Sequence, residues 1–223
     1  MTRATQAIVV TLIGAVVLRL ALFGGYLDYV RAWTRIPLII CGVMLVGSSI
    51  VTALRRPRDD GHDRPRVAWL LVLPVFVVFI VQPPSLGSYV AEHQSDQPPP
   101  KRDVTLPQAT DGKPMRLQIF EFIETAAYNS ASLVDRPVRL VGFVSYDDDG
   151  NWYITRLSIT CCAADAVSSR VQVVGKPAPP RDTWIDLVGT WVDPHVANTA
   201  KVKPQIQVRT MRTISKPQEP YES

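Results

Sequence analysis

The residues best suited to chemistry stand together in the stretch Thr160-Cys161-Cys162-Ala163-Ala164-Asp165-Ala166. Two adjacent thiols and a nearby carboxylate could bind a soft divalent metal, form a vicinal disulfide or stay as free thiols. A closed zinc site usually needs four ligands, whereas Cys161, Cys162 and Asp165 offer three and His195 is the only histidine in this part of the chain. The structural alternative is that one cysteine is buried in the core and Asp165 caps a short helical turn.

Two other sets of side chains could have a functional role, and each also has a more ordinary explanation. The acidic run Asp147–Asp149 could bind a cation, although acids in a solvated turn are far commoner. Trp152, Tyr153, Arg156 and Arg170 could form a stacking platform for nucleic acid, and buried aromatics are the usual alternative. The sequence contains no Ser-His-Asp order, P-loop, dinucleotide fingerprint or metalloprotease helix. It therefore gives no support for an enzyme.

Three apolar runs come before this region and predict a membrane attachment. They are Ala7–Phe23, Ile36–Leu54 and Val67–Val81. A spanning helix needs about 20 apolar residues. The second run therefore fits directly, the first fits if it continues through Leu27, and the third fits if it extends to Leu86, with a kink where a proline interrupts it. Since two runs follow the first, we expect it to be retained rather than cleaved as a signal peptide. The sequence predicts three transmembrane helices in residues 1–86.

The charge distribution predicts how these helices are oriented. Residues 1–81 hold nine Arg and four Asp, an excess of +5, whereas residues 82–223 hold 15 basic and 16 acidic residues, a balance of −1. Short loops rich in Arg stay cytoplasmic, and five of the nine arginines lie between the second and third runs: Arg55, Arg56, Arg58, Arg64 and Arg66. We expect a cell-membrane protein with a cytoplasmic amino terminus and an extracytoplasmic carboxy-terminal part. No nucleic acid partner is expected, because the excess charge is a topology signal.

Arg19 is the one charge inside the first apolar run. A charge at the centre of a span costs about 2.5–3.5 kcal/mol on insertion scales. Arg19 could meet an intramembrane partner acid or line a substrate path. Alternatively, its long side chain reaches the outer interface, where Tyr26 and Asp28 lie.

Small residues in the second run favour close packing of helices. Ser49 and Ala53 form a small-xxx-small pair, and Gly42 and Gly47 lie nearby; such surfaces let helix backbones approach each other. Cys41 fits there as a further small apolar residue. Three spans with so little polar content cannot enclose a pore alone. Any role beyond anchoring in the lipid bilayer would therefore be docking onto another membrane protein.

Residues 87–114 are polar and proline-rich and predict an extended linker. Residues 115–223 predict a small extracytoplasmic domain. It begins with a short strand at Met115–Ile119 and a helix through Tyr128, and the Asp147–Gly150 stretch is a hairpin signal. Five strands follow the helix, and Gly189 marks a bulge in the fourth: Val138–Tyr146, Asn151–Thr160, Val171–Val174, Trp184–Val192 and Gln205–Ile214. The pattern predicts a mainly-β, OB-like barrel with one early helix; an SH3-like barrel and a small sandwich are the alternatives.

With these stretches in view, the chain resembles the YcgQ-like permease-subunit proteins of Gram-positive bacteria, which have three amino-terminal spans, a spacer and a carboxy-terminal domain of unknown function. Four stretches carry the resemblance: Arg136–Val144, Ile159–Ala166, Trp184–Trp191 and Lys216–Tyr221. The Cys-Cys-Ala-Ala-Asp segment is the most specific of them. The resemblance implies an accessory subunit paired with a multi-spanning permease. It adds a partner rather than a reaction.

The chain departs from some of these relatives at two places that concern metal. Some relatives carry a histidine-rich loop between the second and third spans, where this chain has only His62 among five arginines. Some also have histidine at the position of Cys161. The resemblance therefore implies metal handling less strongly for this chain than for those relatives, and Cys162 and Asp165 are the positions that carry over.

Overall fold

The computed structural model describes residues 3–54, 86–93, 113–195 and 203–222. The chain divides into two units, Met1–Ser85 and Leu86–Ser223, and each is described by itself. The third apolar run and the arginine-rich loop before it lie outside the described residues. The predicted third span and the cytoplasmic placement of the five arginines therefore stay predictions.

Two helices make up the described part of the first unit. Helix α1 covers Arg3–Phe23 and helix α2 covers Arg35–Leu54. Gly24 follows α1 with a φ of 83°, a left-handed conformation that glycine adopts readily because it has no Cβ, and a 3-10 turn follows at Gly25–Asp28. The first helix therefore ends before Leu27, and the continuation that would give it spanning length is not present.

Helix α2 makes up most of the candidate membrane span. The segment Ala32–Thr52 has 21 residues and a mean hydropathy of 1.9, which is enough to cross a hydrocarbon core of roughly 30 Å. The apolar part of α1, Ala7–Phe23, is shorter. Among the described residues, one helix thus has the length and hydropathy of a span, and three spans are not shown.

Small residues bring α1 and α2 together. A Cβ on Gly42 would lie 2.6 Å from the Leu18 Cγ, and a Cβ on Gly14 would lie 2.8 Å from a Val46 methyl group. The hydroxyl oxygens of Thr11 and Ser49 lie 2.7 Å apart across the same contact. The predicted close approach is therefore present at Gly42 and Ser49. Gly47 has open space around it and takes no part in the contact.

In its described residues, the second unit has two α-helices and seven strands. Helix α3 covers Ser88–His93 and helix α4 covers Ile119–Tyr128. The strands are β1 Met115–Arg116, β2 Pro137–Tyr146, β3 Trp152–Ser158, β4 Val167–Val174, β5 Trp184–Val192, β6 Gln205–Thr213 and β7 Tyr221–Glu222. The early helix, the hairpin between β2 and β3, and all five predicted long strands are therefore present. The strand β4 begins earlier than predicted, and the sequence analysis missed β7.

The five long strands pair in a closed ring. Strand β2 pairs antiparallel with both β3 and β5, β3 pairs antiparallel with β4, β4 pairs parallel with β6, and β6 pairs antiparallel with β5. The short strands extend the sheet outside this ring, since β1 pairs with β2 and β7 pairs with β3, both in parallel. A register shift at Val188/Gly189 confirms the predicted bulge at Gly189.

The core of this unit lies inside the ring and under α4. Alternating residues of the strands point inward, as the period of two along a β-strand requires. The helix adds Ile119 and Phe122, both fully buried, and Ala126. Trp152 and Trp191 belong to the same cluster. The large apolar residues of the domain therefore fill its interior.

Helix α3 lies inside the range predicted to be a linker. Both oxygens of the Asp182 carboxylate accept hydrogen bonds from Ser88, one from its N–H at 2.7 Å and one from its hydroxyl at 2.9 Å. The Glu92 carboxylate accepts the Tyr146 N–H at 2.9 Å and the Arg181 Nε–H at 3.1 Å. Residues far along the chain thus hold this helix against the β domain.

Candidate functional site

The two cysteines lie in the loop between β3 and β4, and Asp165 shapes that loop. The Asp165 carboxylate accepts the N–H of Thr160 at 2.9 Å and the N–H of Cys161 at 2.8 Å. A 3-10 turn at Ala163–Asp165 brings the carboxylate back toward these donors. Asp165 therefore closes the loop from its far end rather than capping the start of the turn.

Both thiols are free and close to each other. The Sγ atoms of Cys161 and Cys162 lie 3.5 Å apart, with the Cys161 thiol donating toward Cys162. Cys161 is exposed and Cys162 is half-buried. Neither cysteine is therefore buried in the core in this structure, and the two sulfur atoms are not bonded to each other.

The electrostatics of the loop favour the protonated thiol. Hydrogen bonding to Cys162, and then to Asp165, raises the pKa of Cys161 to about 11. The backbone N–H of Cys161 lowers the pKa of Asp165. The thiolate is the form that binds metal and attacks electrophiles. The Cys161 thiol must therefore lose its proton before Cys161 can do either.

The structure places three of the sequence-predicted ligands, Cys161, Cys162 and Asp165, together in the loop between β3 and β4. Within the described ranges, no group of three or more His, Cys, Asp or Glu side chains is arranged to hold a metal ion. His195 is exposed and its backbone N–H bonds to Asp193 at 2.8 Å. Each Asp165 oxygen accepts one backbone N–H, so metal binding by Cys161, Cys162 and Asp165 would have to use the lone pairs that remain on that carboxylate.

We expect Cys161 to react slowly with iodoacetamide at pH 8. A pKa of about 11 leaves far less thiolate than an ordinary cysteine has, and the greater nucleophilicity of a basic thiolate recovers only part of that loss, so the net rate is about tenfold lower. Fragmentation mass spectrometry of the Cys41→Ser chain would give the rate at Cys161. Replacing Cys162 with Ala should speed the reaction, since the main cause of the raised pKa is then gone; an unchanged rate would contradict this account.

The predicted aromatic platform is buried. Trp152 and Tyr153 have exposed fractions of 7% and 2%. The guanidinium of Arg170 and the amine of Lys203 each lie 5.3 Å from the Tyr153 ring, and the Tyr153 hydroxyl donates to Asp147 at 2.7 Å. These rings are therefore covered. The Asp147 carboxylate, the first of the acidic run, already accepts hydrogen bonds from Tyr153 and Asn151.

A second charged cluster, not predicted from sequence, joins strands β2, β5 and β6. Asp186 is 6% exposed. Arg139 donates to it through Nε at 2.8 Å and Nη2 at 2.6 Å. Arg212 donates through Nε at 2.9 Å and Nη2 at 2.6 Å. Hydrogen bonding to Arg139 lowers the pKa of Asp186, and Arg212 adds to the effect.

This cluster lines a groove of about 310 Å³ on the domain. The other lining residues are Pro114, Val188, Thr210 and Met211. A charged residue between Ile185 and Leu187 in the middle of a strand was the one local signal of the site. It did not identify the partners, which lie on two other strands.

A third cluster holds the end of the chain against α4. The Glu222 carboxylate accepts the N–H of Ile119 at 2.8 Å and of Phe120 at 3.3 Å, the first two residues of α4. The Arg156 Nε lies 3.9 Å from the same carboxylate. Glu222 is 7% exposed, and burial raises its pKa. The carboxylate therefore supplies acceptors that the helix start lacks.

In the first unit, the structure also describes Arg19 and Cys41, which the sequence singled out. Arg19 is exposed on α1, and Cys41 is exposed on α2. Arg55, Arg56, Arg58, Arg64 and Arg66 lie outside the described residues.

The second unit is a small mainly-β domain with a seven-stranded sheet and a helix packed on its core. Residues 116–222, which run from β1 to β7, match the family model of the DUF1980 C-terminal domain. The match covers 107 of the 223 residues, so it shows what the second unit is similar to, a domain of unknown function. No curated protein matches the chain. The relationship to YcgQ-like permease subunits stays a prediction.

Proposed function

We propose that this protein is a non-catalytic accessory subunit of a multi-spanning permease, with an extracytoplasmic β domain that binds a partner or a ligand. The observation that best supports this proposal is the exposed apolar surface of α2. Helix α1 covers the side of α2 that contains Gly42 and Ser49, while the apolar residues Ile36, Met44 and Ile50 are 69%, 62% and 53% exposed. A surface of this kind suits lipid or the helices of another membrane protein.

The ring of strands supports a binding role for the β domain. Its pairing order, β2-β3-β4-β6-β5 and back to β2, is that of a five-stranded Greek-key barrel of the OB type. An OB-like barrel is therefore part of the proposed function. Such barrels mostly bind other molecules rather than catalyse reactions, although a fold alone does not assign a function.

Affinity purification tests the permease partner. A tagged chain extracted in mild detergent should recover a large multi-spanning membrane protein, and a clean monomer would count strongly against the proposal. Replacing Gly47 with Leu should reduce the recovery, because Gly47 is exposed on α2 with open space around it and is not in contact with α1. Ile50→Leu preserves volume on α2 and serves as the matched control.

Reporter fusions test the orientation. Alkaline phosphatase fused after residue 100 should be active, because positive-inside topology places this part of the chain outside the cytoplasm. A fluorescent protein at the same position should stay dark, and a fluorescent fusion there would refute the orientation. The matched fusion after residue 60, in the arginine-rich loop, should give the opposite pattern.

The alternative function is a membrane-tethered protein that handles a soft divalent metal or thiols through Cys161, Cys162 and Asp165. The observation that favours it is the pair of exposed and half-buried thiols 3.5 Å apart. The full chain should bind Cd²⁺ more tightly at pH 9 than at pH 7, and the double replacement of both cysteines by Ser should abolish this binding. Cys41→Ser is the control. Unchanged metal content and thiol reactivity in the double variant would remove the alternative.

A further inference from the structure

The groove between β2, β5 and β6 has the chemistry of an anion site. We propose that it binds an organic oxyanion, a carboxylate or phosphate group with a short apolar moiety, through Arg139 and Arg212. This inference rests on the ligand-binding part of the proposed function and is independent of the permease partner.

Both arginines are held in a way that leaves hydrogen-bond donors available. Each guanidinium bonds to Asp186 through Nε and Nη2, which is its side edge. The opposite edge, which carries Nη1 and the second hydrogen of Nη2, can still make a bidentate contact. Planar oxyanions match that fork.

The charges at the groove do not cancel. Asp186 neutralises one of the two arginines, and the cluster keeps a net charge of +1. The carboxylate is buried, with a 5% exposed side chain, while the side chains of Arg139 and Arg212 are 34% and 68% exposed. Asp186 is therefore a positioning residue that fixes two guanidinium groups at the wall of the groove. The arginines would contact the ligand.

The remaining lining sets the type of ligand. Val188, Met211 and Pro114 provide apolar surface next to the arginines, and the Thr210 hydroxyl provides a further polar group. The volume of about 310 Å³ is at the lower end of the usual range for small-molecule sites. A small acid with a short apolar group fits this combination.

Titration calorimetry of the full chain in a non-ionic detergent tests the site. Sodium butyrate and inorganic phosphate are the probes, and sodium chloride at the same ionic strength is the control. We expect saturable binding of at least one oxyanion and none of chloride. Arg212→Gln should weaken the binding about tenfold or more, as expected for losing charge-assisted hydrogen bonds, and Arg212→Lys should restore only part of it.

Arg209→Gln is the matched variant, because Arg209 is exposed on the same strand and does not line the groove. Its affinity should be unchanged; equal losses in both variants, or no saturable binding by either probe, would overturn the proposal. Mixed micelles with and without phosphatidylglycerol separate a lipid headgroup from a free anion, since only a headgroup ligand would compete with the soluble probe at Arg212. The Arg212→Gln chain should still recover the membrane partner, so failure of this site is distinguishable from failure of the subunit role.

Discussion

Replacing Glu222 with Ala should destabilise the β domain by about 3–5 kcal/mol, the usual cost of breaking a buried ion pair by removing one partner. Glu222 has a buried carboxylate that accepts two N–H groups of α4 and lies beside Arg156. The alanine variant leaves these donors without this acceptor, and the N–H of Ile119 is buried. Because small domains are stable by only about 5–15 kcal/mol, this is a large share of the total.

The neutral variant Glu222→Gln should cost less, about 1–2 kcal/mol. Burial raises the pKa of Glu222 and lowers the pKa of Arg156, so desolvation disfavours both charges more than their pairing favours them. The amide keeps an acceptor for α4 without a buried charge. The double variant Arg156→Met with Glu222→Gln should therefore recover part of the loss, since a neutral pair of similar volume needs no ionic partner.

The same pKa shifts predict the pH dependence of unfolding. With its pKa raised above 4.5, Glu222 holds its proton more tightly in the folded state. The stabilisation that Glu222 gives the folded state through this shift is therefore fully present below pH 4.5. It is lost as the pH rises through the raised pKa. Asp186 acts in the opposite sense, because its pKa is lowered below 3.8: its contribution is present above pH 3.8 and is lost as the pH falls through that lower pKa. Glu222→Gln should remove the first slope and keep the second.

Urea unfolding of the full chain in detergent, followed by tryptophan fluorescence, measures these differences. Three of the five tryptophans, Trp152, Trp184 and Trp191, lie in strands of the β domain. Glu219→Ala is the matched control, because it removes the same charge from an exposed position nearby. Equal midpoints for the Glu222→Ala and Glu219→Ala chains would show that the carboxylate does not hold α4.

The elements predicted correctly are those with a strong local pattern. Trp184–Val192 is rich in β-branched and aromatic residues and is a strand with those bounds, and the helix ending at Tyr128 follows from helical spacing of apolar residues. Strand β7 has two residues, too few for any period. Its Glu222 acts on a residue 103 positions earlier. Helix α3 likewise depends on Asp182, 94 positions away.

The candidate sites also differ in how visible they are in the sequence. The Cys161-Cys162 loop is visible in sequence because its residues are contiguous, although the sequence could not show that the Asp165 carboxylate is occupied by backbone donors. The Arg139 and Arg212 partners of Asp186 lie 47 and 26 positions away from it. Only the pairing of three strands brings them together, so no local pattern could predict the groove.

Replacing Gly142 with Val should cost the β domain about 3 kcal/mol or more, at the upper end of the usual range for overpacking. Strand β2 pairs with β5 over Pro137–Phe143 and with β3 from Phe143 onward, so Gly142 lies where the strand passes from one neighbour to the other. Glycine marks such corners because backbones approach closely there. The sequence predicts a bulge at Gly189 and gives no comparable signal at Gly142.

The cost arises because the neighbouring atoms cannot move away. A Cβ on Gly142 would lie 2.5 Å from the Thr155 carbonyl oxygen and 2.9 Å from side-chain carbons of Ile119 and Ile154. The carbonyl belongs to the backbone of β3, and both isoleucines are fully buried. Relief of the clash would therefore require β2 and β3 to separate, which opens the ring of strands at its corner.

The matched control is Gly150→Asn in the hairpin turn. Gly150 has a φ of 81° and open space where a Cβ would go, and asparagine tolerates that conformation better than most residues. Its unfolding midpoint should fall far less than that of Gly142→Val. Equal urea midpoints for both variants and the wild type would show that β2 is not closely packed at Gly142. That result would contradict closure of the ring through β2.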